Sequence, residues 1–339
     1  MEEPATQNSA THGEQLLKTS VAMCTYNGAK YLAEQLESIA RQTQQPGEVV
    51  VCDDGSTDET VFQINEFSRR VAFPVRLHSN HEKLGPAKNF EKAIGLCRGE
   101  VIILSDQDDV WEPGKIEKLW DAFKSQPAAY YAFSDAEIFG NHDGTSERTL
   151  WGGLRLKHSD FAADKQVAIL LKENVVTGAG LAIRSSFRDL AFPIPAGWMH
   201  DYWIALLGSS ISDGVPVPET LYKYRRHSAQ ACGWKKTPLA KYVRTSLNTR
   251  RETLQQKLCE FQELIKRLDS LAVIKPTGER MKMLKEKEYH LLRRATIRSE
   301  SGFSRIGKVL AEALSGRYRR FSSSNFITLS SIFRDLTPI

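Results

Sequence analysis

VIILSDQDDVW, residues 101–111, is the stretch from which the rest of the chain can be read. Val101, Ile102, Ile103 and Leu104 make an unbroken apolar run, the pattern of a short strand buried on both faces. Asp106, Asp108 and Asp109 follow at once. Such charges repel one another and resist burial, so a strand that ends in them ends at solvent or at a cation. In open α/β sheets the carboxyl ends of the strands form the ligand crevice. Asp106 and Asp108, two residues apart, are placed to point the same way from an extended segment, with Gln107 facing elsewhere. A hard divalent ion held by one or two carboxylates, its other positions filled by water and phosphate oxygens, suits such a pair. A solvated acidic turn is the plain alternative, and the flanking sequence argues against it.

Upstream, a strand–turn–helix unit recurs. Residues 19–24 read as a first strand and TYNG (25–28) as its turn; Tyr31, Leu32, Leu36 and Ile39 are the apolar face of the next helix. Pro46-Gly47 breaks the chain before a second buried strand, residues 49–52. Its exit carries Asp53, Asp54 and Gly55, then a helix capped by Ser56 or Thr57. Residues 74–78 supply a third strand, and KLGPAKNFEKAIGLCRG (83–99) a turn and a helix with Phe90, Ala93, Ile94 and Cys97 inward. Repeated β–α units argue for an α/β fold, a parallel sheet with helices on both faces. A helix-entry turn accounts for one of Asp53 and Asp54; carboxylates at two strand exits of one sheet meet at the same edge.

With 339 residues, 41% hydrophobic and 26% charged, the chain can bury a large core and carry an appendage. Its five cysteines include no CxxC pair, and Cys24, Cys52 and Cys97 sit in apolar surroundings, as small buried residues in a reducing compartment do. Residues 1–17 are polar and aperiodic, a disordered tail rather than a secretory signal. No apolar run reaches the ~18 residues that a bilayer span needs. A cytoplasmic protein is expected, free or peripheral on the inner face of the plasma membrane.

CTYNG, the spaced Gln35 and Ser38, Gln42-Thr43, VVVCDDGSTD, KLGPAKNF and ILSDQDDVWEPGKI follow one another in an order that resembles the family 2 glycosyltransferases. The SDQDDVW form is most similar to the bacterial rhamnosyltransferase-like branch. Lys83 stands where relatives commonly carry Asn before Leu-Gly. The resemblance implies a GT-A fold, a Rossmann-like mixed sheet with helices on both faces, over residues 18–235, with a helical extension over 236–339. It also implies an inverting, metal-dependent transfer from a nucleoside-diphosphate sugar, dTDP-L-rhamnose being the first guess. The acceptor would be a saccharide or lipid-linked saccharide in cell-surface polysaccharide synthesis.

That chemistry needs a divalent ion, Mg²⁺ or Mn²⁺, to neutralise the departing diphosphate. By resemblance Asp106 and Asp108 hold the metal and Asp106 also the donor, while Thr25, Tyr26 and Asp53 receive the nucleotide with Asp54 close by. Asp109 is open between a ribose contact, a partner of its neighbours and a turn cap. An acceptor hydroxyl also needs a base. In WMHDYWIALL (198–207) Asp201 matches the family's base, with helix capping as its alternative, and His200 orients its neighbour. Residues 174–187 read as an acceptor-side strand. Trp111, Trp198 and Trp203 are candidates to stack on sugar rings, against the commoner fate of core packing. In LYKYRRHSAQACG (221–233) Arg225 and His227 suit closure over the diphosphate, His227 as a further metal ligand; a solvated basic loop is the alternative, nearest for Arg226.

Val243, Leu247, Leu254, Leu258, Phe261, Ile265 and Leu268 recur at helical spacing, a long amphipathic helix ended by Lys275-Pro276-Thr277-Gly278. Helices over 279–298 and around Ile306, Val309, Leu310 and Leu314 follow, rich in Lys and Arg. The first is expected to pack on the catalytic domain and the later basic part to meet an anionic membrane surface, with a homodimer as the alternative. Nucleic acid is not expected, since no recognition motif accompanies the charge. Two other functions compete: a GT-A scaffold without catalysis, and a Mg²⁺-binding receiver domain. The receiver would place its paired acids after the first strand, and a full strand–helix unit precedes Asp53.

Overall fold

Alternation within the strands builds the sheet. In β1 (Thr19–Thr25) Val21 and Met23 turn to one face and Ala22 and Cys24 to the other, and all four are buried. Val49 and Val51 oppose Val50 and Cys52 in β2 (Glu48–Asp53), and Val101 and Ile103 oppose Ile102 and Leu104 in β4 (Val101–Ser105). Strands apolar on both sides require helices on both sides. The computed structural model describes residues 18–140, 148–227, 251–272, 274–300 and 302–336. One layer is α1 (Ala29–Ala40), α2 (Thr60–Ser68) and α4 (Lys115–Ser125), which lay Leu32, Leu36, Ile64, Phe67 and Leu119 on the first face. The other is α3 (Pro86–Leu96) with α5 (His200–Ile211), bringing Phe90, Ile94, Trp203 and Leu206 to the second.

Among the described residues one sheet of eight strands runs β3–β2–β1–β4–β7–β6–β8–β5, with β3 Val75–Ser79, β5 Val110–Trp111, β6 Tyr131–Gly140, β7 Leu181–Arg184 and β8 Val215–Arg226. β3, β2, β1 and β4 are mutually parallel, so the exits of β1, β2 and β4 share one edge, with Thr25 opposite Asp53. β7 is antiparallel to β4 and β6, and β5 to β8, which makes the sheet mixed.

Three local expectations change. Residues 174–187 are not one strand: a 3₁₀ turn, Gly178–Gly180, precedes the short β7. Of the basic segment 221–233, Leu221 to Arg226 continue β8 with Arg226 buried, which overturns the solvated-loop alternative for those residues; residues 228–233 lie outside the described residues. α2 begins at Thr60 rather than after Ser56 or Thr57, because the Ser56 hydroxyl donates to Asp53 and accepts from the Asn27 N–H.

The C-terminal helices are α6 (Arg251–Ser270), α7 (Gly278–Ile297), α8 (Gly302–Leu314) and α9 (Asn325–Leu336), with a single turn Arg317–Arg320 between the last two. Val243 and Leu247 lie outside the described residues, as do residues 1–17 and the expected boundary at 235/236. Leu254, Phe261, Leu264 and Leu268 of α6, and Leu284, Leu291 and Ala295 of α7, join the core formed by α3 and α5. α8 and α9 are held to α7 differently, through buried polar contacts. His290 Nδ1 lies 2.6 Å from Glu312, Arg317 Nε donates to Glu312 at 2.7 Å, and Arg294 Nε and the Tyr318 hydroxyl each donate to Asp335 at 2.6 Å.

Burial lowers the His290 imidazole to about 4, so it is neutral at pH 7 beside Glu312. Glu312, against the opposing effect of burial, is held at about 2 by hydrogen bonds from Arg317 and His290. Between roughly pH 6.5 and 4 the unfolded chain takes up a proton that folded His290 refuses, costing this unit on the order of 3 kcal/mol. Glu312's own contribution is complete above the unfolded carboxylate value near ~4.3 and drains only as pH falls towards 2. Hydrogen exchange over residues 278–336, corrected for intrinsic rates, should therefore show more opening at pH 4.5 than at 7.5 while β1 and β4 hold. His290→Asn should flatten that dependence; an unchanged profile in the variant would mean another group is responsible.

Candidate active site

The carboxylates at the β2 exit fold the loops around them. Asp53, 1% exposed, accepts from the Thr25 hydroxyl at 2.7 Å, the Ser56 N–H at 2.8 Å and the Gly55 N–H at 3.2 Å. It thereby joins the β1 exit to the DGS turn. Asp54 accepts from the N–H groups of Leu84 and Gly85 and from the Asn80 amide. With its carboxylate buried in those contacts, Asp54 anchors the KLGP turn. Tyr26 stands 41% exposed at the rim, and the Lys83 amine lies 3.5 Å from its ring centroid, so the lysine that departs from the relatives' Asn makes a cation–π contact.

Gln107 turns to the β1 exit. Its Oε1 accepts from the Tyr26 N–H at 2.8 Å and its amide donates to the Tyr26 carbonyl at 3.1 Å, a two-bond clamp between the β1 and β4 exits. Gly28 makes room for it: a Cβ there would lie 2.1 Å from Gln107 Oε1. An alternating DQD motif does not reveal this, because the partner is backbone far away in the sequence.

The pairing of β5 with β8 brings the end of β8 back over the acidic turn. His227 Nε2 lies 2.7 Å from Asp108 Oδ2, and its ring centroid 4.6 Å from that of Tyr31. The Arg225 N–H donates to Asp109 at 3.0 Å and its Nε to the Asp108 carbonyl at 2.8 Å; its guanidinium pairs with Glu34 and lies over Tyr31 and Phe139. Arg225 thus ties β8 to the acidic turn and braces α1. Beneath lies Lys115, which sequence reasoning missed: fully buried, its amine donates to the Ala179 carbonyl and sits 4.0 Å from the Trp111 ring centroid. Burial lowers that amine to about 7 against the pull of Asp109 and Asp106. Burial, then Asp108 and Asp106, raises Asp109 well above the usual carboxylate range. Asp109 is 1% exposed, a neighbour of the site and not a wall of it.

Asp106 has the most crowded position. Burial first, then Asp108 and Asp201, raise its carboxyl to about 7, although Lys115 and the Ala179 N–H favour the charged form. Asp201, in the first turn of α5, is therefore close enough to Asp106 for their charges to interact. His200 is 4% exposed and stacked on Phe90 with centroids 4.0 Å apart; burial lowers its pKa. Among the described residues neither of its ring nitrogens has a hydrogen-bond partner. Gly178 permits the approach, since a Cβ there would lie 2.6 Å from His200 Nε2 and 3.7 Å from Asp106 Oδ2.

The tryptophans do not join this edge. Trp111, Trp198 and Trp203 are 3%, 5% and 0% exposed, and the last two donate their indole N–H to the Glu260 and Ala191 carbonyls. Their area is spent on the core, which corrects the expectation of sugar stacking. Among the described residues no three His, Cys, Asp or Glu side chains form a ready metal cage. Asp106 and Asp108, whose charges interact, and the His227 imidazole 2.7 Å from Asp108 are donors that a divalent cation could share with phosphate oxygens. Burial first and then repulsion raise Asp106, and such a charge would relieve the repulsion.

Loss of the Gln107 clamp should loosen the Tyr26 rim without unfolding the sheet. The clamp's two hydrogen bonds, at about 0.5–1.5 kcal/mol each, correspond to about tenfold weaker nucleotide binding or more when both are lost. Gly28→Ala and Gln107→Ala should each show this by calorimetry, and the double variant should be no worse than either alone, since both remove one contact. Additive losses would show that the two residues act separately.

The fold is shared with solved glycosyltransferases. Staphylococcus aureus TarS in complex with UDP-GlcNAc aligns with a TM-score of 0.56 at 15% identity, covering 94% of this chain and 89% of that one. The Pyrobaculum calidifontis mannosyltransferase PcManGT, with GDP-Man and Mn²⁺, gives 0.52 at 16%, over 95% and 88%. WfgD of Escherichia coli, a UDP-Glc:α-D-GlcNAc-diphosphoundecaprenol β-1,3-glucosyltransferase, is 33% identical over 212 residues, 61% of this chain and 76% of its own. Alignments with uncharacterised bacterial relatives span 59% to 66% of those proteins' length. The model of glycosyl transferase family 2 matches residues 20–190, which include the exits of β1, β2 and β4 and the 3₁₀ turn beside Asp106; the chain belongs to that family.

Proposed function

We propose that this chain transfers a sugar, with inversion, from a nucleoside-diphosphate donor to a hydroxyl of a saccharide or lipid-linked saccharide in cell-surface polysaccharide synthesis. The observation that carries the reading is the convergence of Asp106, at the exit of β4, with the start of α5: a Cβ on Gly178 would lie 3.7 Å from Asp106 Oδ2 and 2.6 Å from His200 Nε2, and the neighbouring Asp201 is near enough for its charge to act on Asp106. Displacement at an anomeric carbon requires two such carboxylates: one to hold the departing diphosphate's cation and one to take the acceptor's proton.

In this reading Asp106 and Asp108, with His227, would hold Mg²⁺ or Mn²⁺, which supplies a Lewis acid for the leaving diphosphate. PcManGT was solved with Mn²⁺, which supports the assignment. Thr25 and Asp53 shape the base end and Tyr26 offers its exposed ring there. Arg225 acts by holding His227 and the acidic turn in place. Asp201 is the base. His200, whose ring nitrogens have no hydrogen-bond partner among the described residues and whose pKa burial lowers, is available to hydrogen-bond a substrate hydroxyl.

The donor first proposed is dTDP-L-rhamnose, from the SDQDDVW form. A second reading, a UDP-hexose, is favoured by WfgD, whose own donor is UDP-Glc, and by TarS, solved with UDP-GlcNAc. WfgD's acceptor is carried on a diphosphoundecaprenol lipid, which supports a lipid-linked acceptor and a peripheral site of action on the cytoplasmic face.

Thermal shift with a panel of nucleotide sugars and Mn²⁺ tests donor and metal together, because a ligand that binds only the native state raises its stability. The correct donor should raise the midpoint with metal and not with EDTA. Asp106→Ala should lose that shift, whereas Asp201→Ala should keep it and lose turnover about 10²–10⁴-fold. If UDP-sugars stabilise and dTDP-sugars do not, the rhamnosyl assignment falls and sugar transfer stands. Full turnover by Asp201→Ala would remove the base.

A further inference from the structure

α8 and α9 are amphipathic helices turned inside out. α8 buries Arg305, Val309 and Glu312 against the body, while Phe303 is 93% exposed, Leu314 87%, Leu310 54% and Ile306 44%. Positions 303, 306, 310 and 314 share one helical face. α9 repeats the pattern: Ser331, Arg334 and Asp335 are buried, while Leu329 and Phe333, one turn apart, are 66% and 58% exposed. Buried polar contacts explain how the polar faces turn inward: Arg294 of α7 pairs with Asp335, His290 of α7 lies against Glu312, and Arg317 of the intervening turn pairs with Glu312. They do not explain why apolar side chains are left in water, where protruding patches mark interaction sites.

The shape and charge of this surface select its occupant. Phe303 and Leu314 protrude from opposite ends of α8, about 16 Å apart at helical rise, a ridge and not a groove. Between residues 278 and 336 the chain carries 13 Lys and Arg against 6 Asp and Glu. Two of those acids, Glu312 and Asp335, are buried in pairs, while Lys282, Lys285, Arg319 and Arg320 are exposed. A second copy of this face would bring like charge to like charge. An anionic bilayer offers opposite charge at the headgroups and a deformable apolar layer just beneath. Among the described residues no helix is long and apolar enough to cross a membrane, so contact through them is in the plane of the interface.

We infer that α8 and α9 seat the chain on an anionic lipid surface, with Phe303, Leu310, Leu314, Leu329 and Phe333 entering the headgroup–acyl boundary and exposed Lys and Arg of residues 278–336 meeting the headgroups. The surface stands on its own geometry; its use, presenting the site to a lipid-linked acceptor, rests on the function proposed above.

Co-sedimentation of the full chain with phosphatidylcholine vesicles, with and without about one-third phosphatidylglycerol, tests this. The protein should sediment with the anionic vesicles and progressively less as salt rises. Phe303→Ser with Leu314→Ser should weaken that binding about tenfold or more, with the donor-induced thermal shift unchanged. A native protein that stays in the supernatant, or a double variant that binds like the native one, overturns the inference. Equal binding to neutral vesicles overturns its electrostatic part. A native dimer that the double variant converts to monomer in light scattering would assign the surface to a second copy. Vesicle binding without any donor-induced shift would sink the proposed function and leave the membrane surface standing.

Discussion

Mutual repulsion among carboxylates at the end of β4 is the constraint around which the site is arranged. Asp106, Asp108 and Asp109 leave one strand together and Asp201 approaches from α5, in a place where burial already penalises charge. The fold answers with a buried lysine, a backbone N–H from the 178–180 turn and the Arg225 N–H. These offset the crowding without abolishing it, since Asp106 remains displaced to about 7. The divalent ion proposed above would make good that shortage of positive charge.

Holding that arrangement is the work of cross-links between strand exits. Thr25 to Asp53, Gln107 to Tyr26 and Arg225 to the acidic turn each join segments distant in sequence and adjacent in the sheet. They fix loops to rigid strands, which is how short polar turns reach the precision that catalysis needs. Asp54 and the KLGP turn are the same device one strand further out.

What was legible in the sequence follows from this division. β1, β2 and β4 announce themselves because both faces are buried, so apolar runs are unbroken; their acidic exits mark the edge. β8 stayed hidden because YKYRR carries charge at alternate and adjacent positions, and its partner β5 is two residues long. Gln107 and Lys115 were invisible for a related reason: their roles depend on Tyr26 backbone and on the 178–180 turn, contacts that no local pattern encodes. The tryptophans misled in the opposite direction, since WMHDYW places two of them beside the site in sequence while α5 turns Trp203 into the core. The KLGP lysine gained a meaning only when Tyr26 was seen beneath it.

The chain buries charge in two places, and the contrast separates structure from function. Around Asp335 and Glu312 the acids are matched by Arg294, Arg317, Tyr318 and His290, a closed network with every carboxylate occupied. At the β4 exit acids outnumber cations and His200 has no partner among the described residues. The closed network stabilises little compared with an apolar interface of the same size, because desolvation offsets most of the attraction. Its retention makes sense where the apolar faces of the same helices are needed elsewhere. α6 and α7 give theirs to the core beside α5; α8 and α9, joined to the body through charge, keep Phe303, Leu314, Leu329 and Phe333 on the outside. A polar inner seam is thus the structural condition for an apolar outer surface, and the basic composition of residues 278–336 sets the charge of whatever that surface meets.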